Sequence, residues 1–478
     1  MVMGYVILGI IIVFVVVLLV RAAGFKPASI PEKEFAPVNV DKDKIVQDMV
    51  EMIKCKTISG RDDSLIDFSE FEKYHAVLEV CFPLIHQKCK LEKIGKTGLL
   101  YFLEGKSHDK PVVCMAHYDV VPVEESGWDK PAFDGIVEDG VIWGRGTLDT
   151  KGTMCGVMEA LEHLLSEGYV PSRDLYLSFS GDEEIGGESC PAIVSYFEEK
   201  GIKPAFVLDE GGAVVENVFP GVSGESAMIG ICEKGYMDVE ISMKSNGGHA
   251  STPPVHSIVG ELSKAVMAIE KHPFKGKKSK AVDEMFDELG RHAGFGMRII
   301  FANMWLFRPM LSLVATKLGG EINALMRTTC AVTCMEGSKA YNVLPPRAKV
   351  GMNLRLMQGD TVESAISYLE KVIHNDKITV ECVFGHNPSI TSDTSCEEWT
   401  YLKQVVHATW PGAIVSPYIM LACSDSRHYN RISDHVYRFS AMKLSKAERA
   451  MIHGNNERVP VDTLVQTVEF YVRLLREM

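Results

Sequence analysis

The chain has 478 residues, too many for one hydrophobic core, so roughly three domains or two large ones are expected. Hydrophobic and charged contents of 46% and 24% are those of a globular protein, and a net charge of -13 without a basic stripe argues against a nucleic-acid partner. Twelve cysteines, none in a Cys-x-x-Cys pair, provide no disulfide framework.

Residues 1–20 carry no charged side chain. As a helix they span roughly 30 Å, enough to cross a bilayer. A cleaved signal peptide is the competing reading, with Ala22-Ala-Gly24 as the small-residue site. The missing basic n-region and the length of the run favour an uncleaved anchor over 1–21. Arg21 and Lys26 after the span pull the C-terminal side toward the cytoplasm, while the absence of an Asn-x-Ser/Thr acceptor with x other than Pro leaves no mark of a glycosylating route. The side of the membrane stays open. Pro27, Pro31 and Pro37 among charges mark 22–43 as a linker.

Helical periodicity begins over 44–53, with Asp41 or Asp43 as cap, and recurs over 68–89. Strands are predicted at 99–103 and 111–116, the second nearly all apolar and so central. Helix 153–167, strand 175–179, helix 191–200 and strand 205–208 follow. This alternation implies a mostly parallel sheet covered on both faces, an α/β catalytic domain. Near Lys234 the pattern changes to clean alternation at 236–243, then helix 255–270, strands 327–334 and 348–356, helix 361–373 and strand 378–384. That is the order of a split βαβ, ferredoxin-like α+β unit. The expected organisation is a discontinuous catalytic domain (44–233 and 386–478). A smaller lid or dimerisation domain (234–385) is inserted into it and carries its own apolar insertion near 272–326.

The chemistry-bearing residues fall after successive strands. The stretch Ser178-Phe-Ser-Gly-Asp-Glu-Glu-Ile-Gly-Gly187 puts Glu183 and Glu184 where a strand gives way to a Gly-rich turn. In open α/β sheets that edge carries the chemistry. One carboxylate can hold a metal while its neighbour moves a proton, although an acidic surface loop has the same composition. His117-Tyr-Asp119 follows strand 112–116, and Asp119 is placed to accept the second imidazole N–H. Asp149 sits in Gly144-Arg-Gly-Thr-Leu-Asp-Thr-Lys-Gly152, Asp209 and Glu210 follow strand 205–208, and His453-Gly-Asn-Asn-Glu457 precedes the last helix. Each feature alone has an ordinary structural explanation; their ordered recurrence does not.

This series resembles the co-catalytic zinc family of aminoacylase-1, carboxypeptidase S and the secreted N-fatty-acyl-amino-acid hydrolase, and most of all its carboxypeptidase S-like branch. The resemblance implies two Zn²⁺ ions, with Co²⁺ or Mn²⁺ as substitutes, bridged by Asp149. It implies His117 and either Asp209 or Glu210 on one ion, and Glu184 and His453 on the other. It implies Glu183 as general base, Asp119 orienting His117, and His249 of Gly247-Gly-His-Ala-Ser251 polarising the scissile carbonyl. Asn342 and Arg355 match substrate contacts, the arginine gripping an α-carboxylate. In the family a homodimer brings the lid histidine to the neighbour's site. One departure is Leu421-Ala-Cys-Ser-Asp-Ser-Arg427, where a Gly-rich approach is usual. Arg427 is either a second carboxylate contact or an ion pair with Asp425, the ion pair slightly favoured.

Carboxylate and imidazole ligands without thiolate suit hydrolytic zinc. The expected activity is hydrolysis of N-acyl amino acids or short peptides with a free carboxylate. The alternatives are an aminopeptidase or dipeptidase, or a non-catalytic membrane-tethered binding protein. The apolar stretch 295–315 is expected either to pack as a helix pair or to wall the site mouth for an acyl chain, the resemblance favouring the wall.

Overall fold

The computed structural model describes residues 2–31, 33–219 and 221–478. Its central sheet runs Lys90–Ile94, Gly98–Leu103, Leu175–Ser180, Val112–His117, Phe206–Glu216, Val436–Lys443, Glu225–Glu233, Ile414–Met420. The strands from Leu175–Ser180 to Val436–Lys443 pair in parallel, and antiparallel pairs lie toward the Lys90–Ile94 edge. Val112–His117 is buried throughout. Its alternate residues separate onto two faces, as a period of two requires. Cys114 and Ala116 join Met154, Leu161 and Tyr471 of helices Lys151–Ser166 and Val461–Arg476. Val113 and Met115 join Ile193, Val194 and Phe197 of helix Ser189–Lys200. Gly156 lets the first two helices touch, since a Cβ there would lie 2.6 Å from Thr467. The helix expected over 68–89 is two, Phe68–Cys81 and Pro83–Lys88, because Pro83 fixes φ and lacks the N–H to continue.

The second unit is an antiparallel sheet ordered Thr329–Glu336, Arg347–Leu356, Gly235–Lys244, Thr379–His386. Helices Ile258–Lys271 and Val362–Ile373 cover one face of it. This is the split βαβ arrangement, and its core of Met237, Val239, Ile241, Leu262, Val350, Leu354 and Leu369 is separate from that of the main sheet. Burial alternates strictly along Arg347–Leu356, as one wet face demands.

The insertion departs from expectation. Helix Lys280–His292 belongs to the main core rather than to the lid. Its Val282, Met285, Phe286 and Leu289, spaced as one helical face, pack toward edge strand Ile414–Met420. Helices Phe295–Phe301, Met304–Leu318 and Gly320–Met326 follow. The segment expected as a linker carries no regular secondary structure over 25–31 and 33–41 but is not free: Phe25, Ile30, Phe35, Val38 and Val40 pack against the main core, and Gln404 donates to the Pro31 carbonyl (3.0 Å).

Lys234 joins the two units. It is fully buried and donates to the carbonyls of Ala324 (3.0 Å) and Arg327 (2.8 Å). Burial, with Arg355 nearby, lowers its pKa to about 7. Between pH 7 and 10.5 the unfolded chain therefore binds a proton that the folded chain does not, so this group's contribution to stability rises with pH across that window. Lys234→Met is expected to lose that rise. Its Tm relative to the parent should be highest near pH 6–7 and fall toward pH 10, which differential scanning calorimetry across that range checks.

Candidate metal centre and cleft

The metal-type side chains converge at the carboxyl edge of the central sheet. His117 ends its strand; its Nδ1 lies 3.1 Å from the Asp119 carbonyl and 3.3 Å from Asp119 Oδ1. The same Asp119 carboxylate accepts the backbone N–H groups of Glu183 and Glu184 (3.1 Å each). One buried acid thus fixes both the imidazole and the tight turn Glu183–Ile185, which Gly186 closes with φ 63°. Asp149 lies between two histidines, its Oδ1 3.0 Å from His117 Nε2 and its Oδ2 3.0 Å from His453 Nε2. His453 Nε2 is also 3.0 Å from Glu184 Oε2. His453 takes the left-handed backbone (φ 59°), a costly conformation for a residue with a Cβ. Ligand atoms of His117, Asp149 and Glu184 lie within 4.8 Å of one another.

Asp209 and Glu210 do not follow their strand but lie within Phe206–Glu216. Pairing with Val436–Lys443 jumps from Asp209 to Gly212, a bulge that Gly211 permits with φ 137°. The two acids therefore diverge. Asp209 Oδ2 accepts the Ser426 N–H (2.9 Å), whereas Glu210 shares the surroundings of Asp149, His117 and Glu183.

The electrostatics suit a cation. Burial pushes the Glu183 carboxyl well above its usual range; His117 opposes this, and Asp425, Glu210 and Glu184 add to the rise. Glu210 rises by burial and then by repulsion from Asp149 and Asp209. Glu184 also rises by burial, against its contact with His453. At His117 burial works the other way, but contacts with Asp119 and Asp149 outweigh it and hold the imidazole well above its ordinary value. The half-buried carboxylates of Asp149, Glu183, Glu184 and Glu210, with the imidazoles of His117 and His453, form an oxygen and nitrogen donor set short of positive charge. That set fits divalent zinc and holds no thiolate.

Arg355 and Arg427 line a cavity of about 240 Å³ with Glu183, Glu184 and His453. Arg355 lies over the Tyr236 ring (4.6 Å) with Nη1 3.6 Å from Cys423 Sγ. Arg427 makes no contact ion pair among the described residues and donates to the Ser424 carbonyl (2.5 Å), while, against burial, Asp425 is the nearby charge that most raises its pKa. Asp425 instead accepts from Ser180.

Arg61, which lies over Phe384 at 5.8 Å, Phe384 itself, His386 and Tyr236 line the cleft without having been foreseen there. Tyr236, Phe384 and His386 come from ends of lid strands, whose period shows a strand but not a site, and Arg61 comes from a loop. Glu457, inside the quoted His-Gly-Asn-Asn-Glu stretch, was foreseen without a role. It accepts from Arg145 Nη1 (2.6 Å) and from the N–H groups of Gly146, Leu148 and Asp149.

His249 and Asn342 are not brought to this cleft. They are exposed neighbours on the lid, His249 ending strand Gly248–His249 and Asn342 in the turn before Val343–Leu344; Ala250 N donates to the Asn342 carbonyl (3.0 Å) and His249 Nδ1 meets Ser251 Oγ (2.7 Å). Nor does the 295–315 stretch wall the site mouth. Phe301, Met304, Trp305 and Pro309 line another cavity, of about 620 Å³, with Phe286 and Met326. Helix Lys280–His292 carries them along the far edge strand instead.

The family model of peptidase family M20/M25/M40 matches residues 113–477. The chain belongs to this family. This M20 protein is 35% identical to the probable carboxypeptidase S-like 2 of Dictyostelium discoideum, over 91% of this chain and 85% of that one. It is 32% identical to the N-fatty-acyl-amino acid synthase/hydrolase PM20D1 of Xenopus tropicalis, over 91% and 86%. In fold it is similar to the M20 family metallo-carboxypeptidase of Sulfolobus solfataricus (19% identity, TM-score 0.66, 90% and 98% covered). Human carnosine dipeptidase 1 is also similar (13%, 0.62, 91% and 96%). The M20 membership makes the chain a metallohydrolase and removes the non-catalytic binding protein from consideration.

Proposed function

We propose that the chain hydrolyses the amide bond of N-acyl amino acids, or of short peptides, that end in a free carboxylate. The observation that carries this is the cleft itself, where Arg355, Arg427 and Arg61 face Glu183 and Glu184 across about 240 Å³. A planar guanidinium recognises a carboxylate bidentately. Among the described residues the acids of the lining are Glu183 and Glu184 alone, both needed at the metal centre, which leaves none of them to meet the free amine of an aminopeptidase substrate. The similar carboxypeptidase S-like and N-fatty-acyl-amino acid proteins support the same substrate class.

Asp149 would bridge two zinc ions, with His117 and Glu210 on one side and Glu184 and His453 on the other; Glu210 is preferred to Asp209, whose carboxylate is engaged by Ser426. Bound zinc supplies Lewis-acid polarisation of the carbonyl and acidifies water. Glu183 takes a proton from water and returns it to the leaving amine. Asp119 keeps His117 and the Glu183 turn in register. Dialysis against a chelator should abolish turnover of an N-acyl amino acid, and zinc should restore it. Equal turnover of the free acid and its α-carboxamide would defeat the carboxylate assignment. Arg355→Ala should mainly raise KM, because the carboxylate is held in ground and transition states alike.

His249 acts on the partner's site in this proposal, since its own cleft lies elsewhere on the chain and its strand is exposed. His249→Ala and Glu183→Gln chains, each inactive, should regain activity when unfolded together and refolded as a mixture. Failure to complement, with both singly refolding as dimers, would assign His249 a role other than oxyanion stabilisation.

Val2–Gly24 is proposed as a single-pass anchor: it is 23 residues long with mean hydropathy 3.2 in its most apolar window. Burial of Leu18 and Ala22 against folded residues supports retention of the helix over its cleavage.

A further inference from the structure

The helix Val2–Gly24 does not leave the folded chain freely. Arg21 donates through Nε and Nη2 to the Ala302 carbonyl (3.2 and 2.9 Å) and through Nε to Asn303 Oδ1 (3.0 Å). Asn303, fully buried, donates to the Leu18 carbonyl (3.2 Å). Phe14 meets Trp305 edge-on, ring centroids 6.2 Å apart. All three contacts fall on the elbow where Phe295–Phe301 turns by 97° into Met304–Leu318.

These contacts set a depth. Phe14 precedes Arg21 by seven residues, about 10 Å along a helix. With Arg21 at the edge of the hydrocarbon, Phe14 and the Trp305 ring against it lie about 10 Å inside. The helix that begins there is dressed for the same solvent. Trp305, Met310, Leu313, Val314 and Leu318 are 60, 47, 68, 46 and 74% exposed. Its charged residues are Arg308, which pairs with Asp283 of the folded domain, and Lys317 in the last turn, where a long stem can reach the interface. An exposed face of this kind marks an interaction surface, and its continuity with an apolar spanning helix identifies the occupant as lipid.

We propose that the elbow Phe295–Leu318 is a second membrane element that enters the same leaflet as Val2–Gly24 without crossing it. At the bend, where bilayer depth asks for internal partners, Asn303 N donates to the Ile300 carbonyl, and Leu306 N and Phe307 N donate to the Asn303 carbonyl. The catalytic unit is thereby held to the bilayer at two points and in one orientation. The proposal rests on the anchor reading of Val2–Gly24.

The test uses the full chain in phosphatidylcholine vesicles, with the exposed Cys334 replaced by Ser as background. A nitrobenzoxadiazole label is placed on Leu313→Cys or Leu318→Cys, with Val80→Cys, 81% exposed on a distant helix, as the water reference. The proposal expects blue-shifted emission and several-fold weaker iodide quenching at 313 and 318 than at 80. It also expects brominated lipid to quench the Trp305 signal, taken as parent minus Trp305→Phe, which needs no new cysteine. If the chain resists alkaline carbonate extraction while 313, 318 and Trp305 stay in water, the elbow reading is overturned and the anchor stands. If carbonate releases the chain, the anchor fails and the elbow with it. Shielding of 313 and 318 in detergent-free solution without vesicles would assign the face to a second copy and overturn lipid as its occupant.

Discussion

Glu183→Gln is expected to keep the metals of the parent and to lose turnover by roughly 10²–10⁴. The substitution preserves size and one acceptor oxygen, but it replaces the other oxygen by an NH₂ donor, and an amide cannot take the proton of a reacting water. The Glu183 N–H contact to Asp119 is made by backbone and survives the change, so the turn carrying Glu184 should stay in place. Asp149→Ala provides the contrast. It removes the only carboxylate that touches both His117 and His453 among the described residues, so metal and activity should go together. Metal content by atomic absorption, read beside kcat on an N-acyl amino acid, separates the two variants. Parental turnover in Glu183→Gln would falsify the assignment of the base.

Much of this centre was legible because its chemistry needs particular residue types at each strand end. His117, Asp149, Glu183, Glu184 and His453 each stand in a short stretch that alone has an ordinary explanation; their ordered recurrence after successive strands is the signal, and the fold collects them. Asp209 and Glu210 could not be told apart in sequence. Their difference is made by a bulge, and a bulge depends on the register of Val436–Lys443, more than 200 residues away. Arg61, Phe384 and His386 reach the cleft from separate units, so no local pattern announces them. The insertion shows the opposite limit. Its apolar composition and helical period were plain, but an apolar face carries no address. Packing against strand Ile414–Met420 and against Val2–Gly24, rather than at the site mouth, is a tertiary outcome. Arg427 likewise sits two residues from Asp425 in sequence, yet the 3₁₀ segment Asp425–Arg431 turns one side chain to Ser180 and the other to the cleft.

The largest effect outside the reacting groups is expected at Glu457. This carboxylate is fully buried and accepts four donors: Arg145 Nη1 at 2.6 Å and the N–H groups of Gly146 (3.1 Å), Leu148 (2.7 Å) and Asp149 (3.2 Å). Arg145 in turn donates through Nη2 to the Gly454 carbonyl (2.8 Å), beside His453. One ion pair therefore contacts the backbone at Asp149 and beside His453, the two residues that flank the proposed metal position. In Glu457→Gln the amide oxygen can still accept two of the donors. Its NH₂ must then face the other two, Arg145 and Gly146 N among the candidates, which are donors themselves. Breaking a buried pair this way costs about 3–5 kcal/mol, because a charge is left without its partner. Loss of support behind metal ligands weakens metal binding roughly 10–100-fold. Glu457→Gln should accordingly melt lower than the parent and bind zinc more weakly. It should nevertheless recover much of its kcat at raised zinc concentration, since every ligand is still present. Asp149→Ala should not recover at any zinc concentration. Zinc titration followed by both activity and Tm distinguishes positioning from simple loss of fold, and a zinc affinity equal to the parent's would show that the Arg145–Glu457 pair does not set the metal ligands.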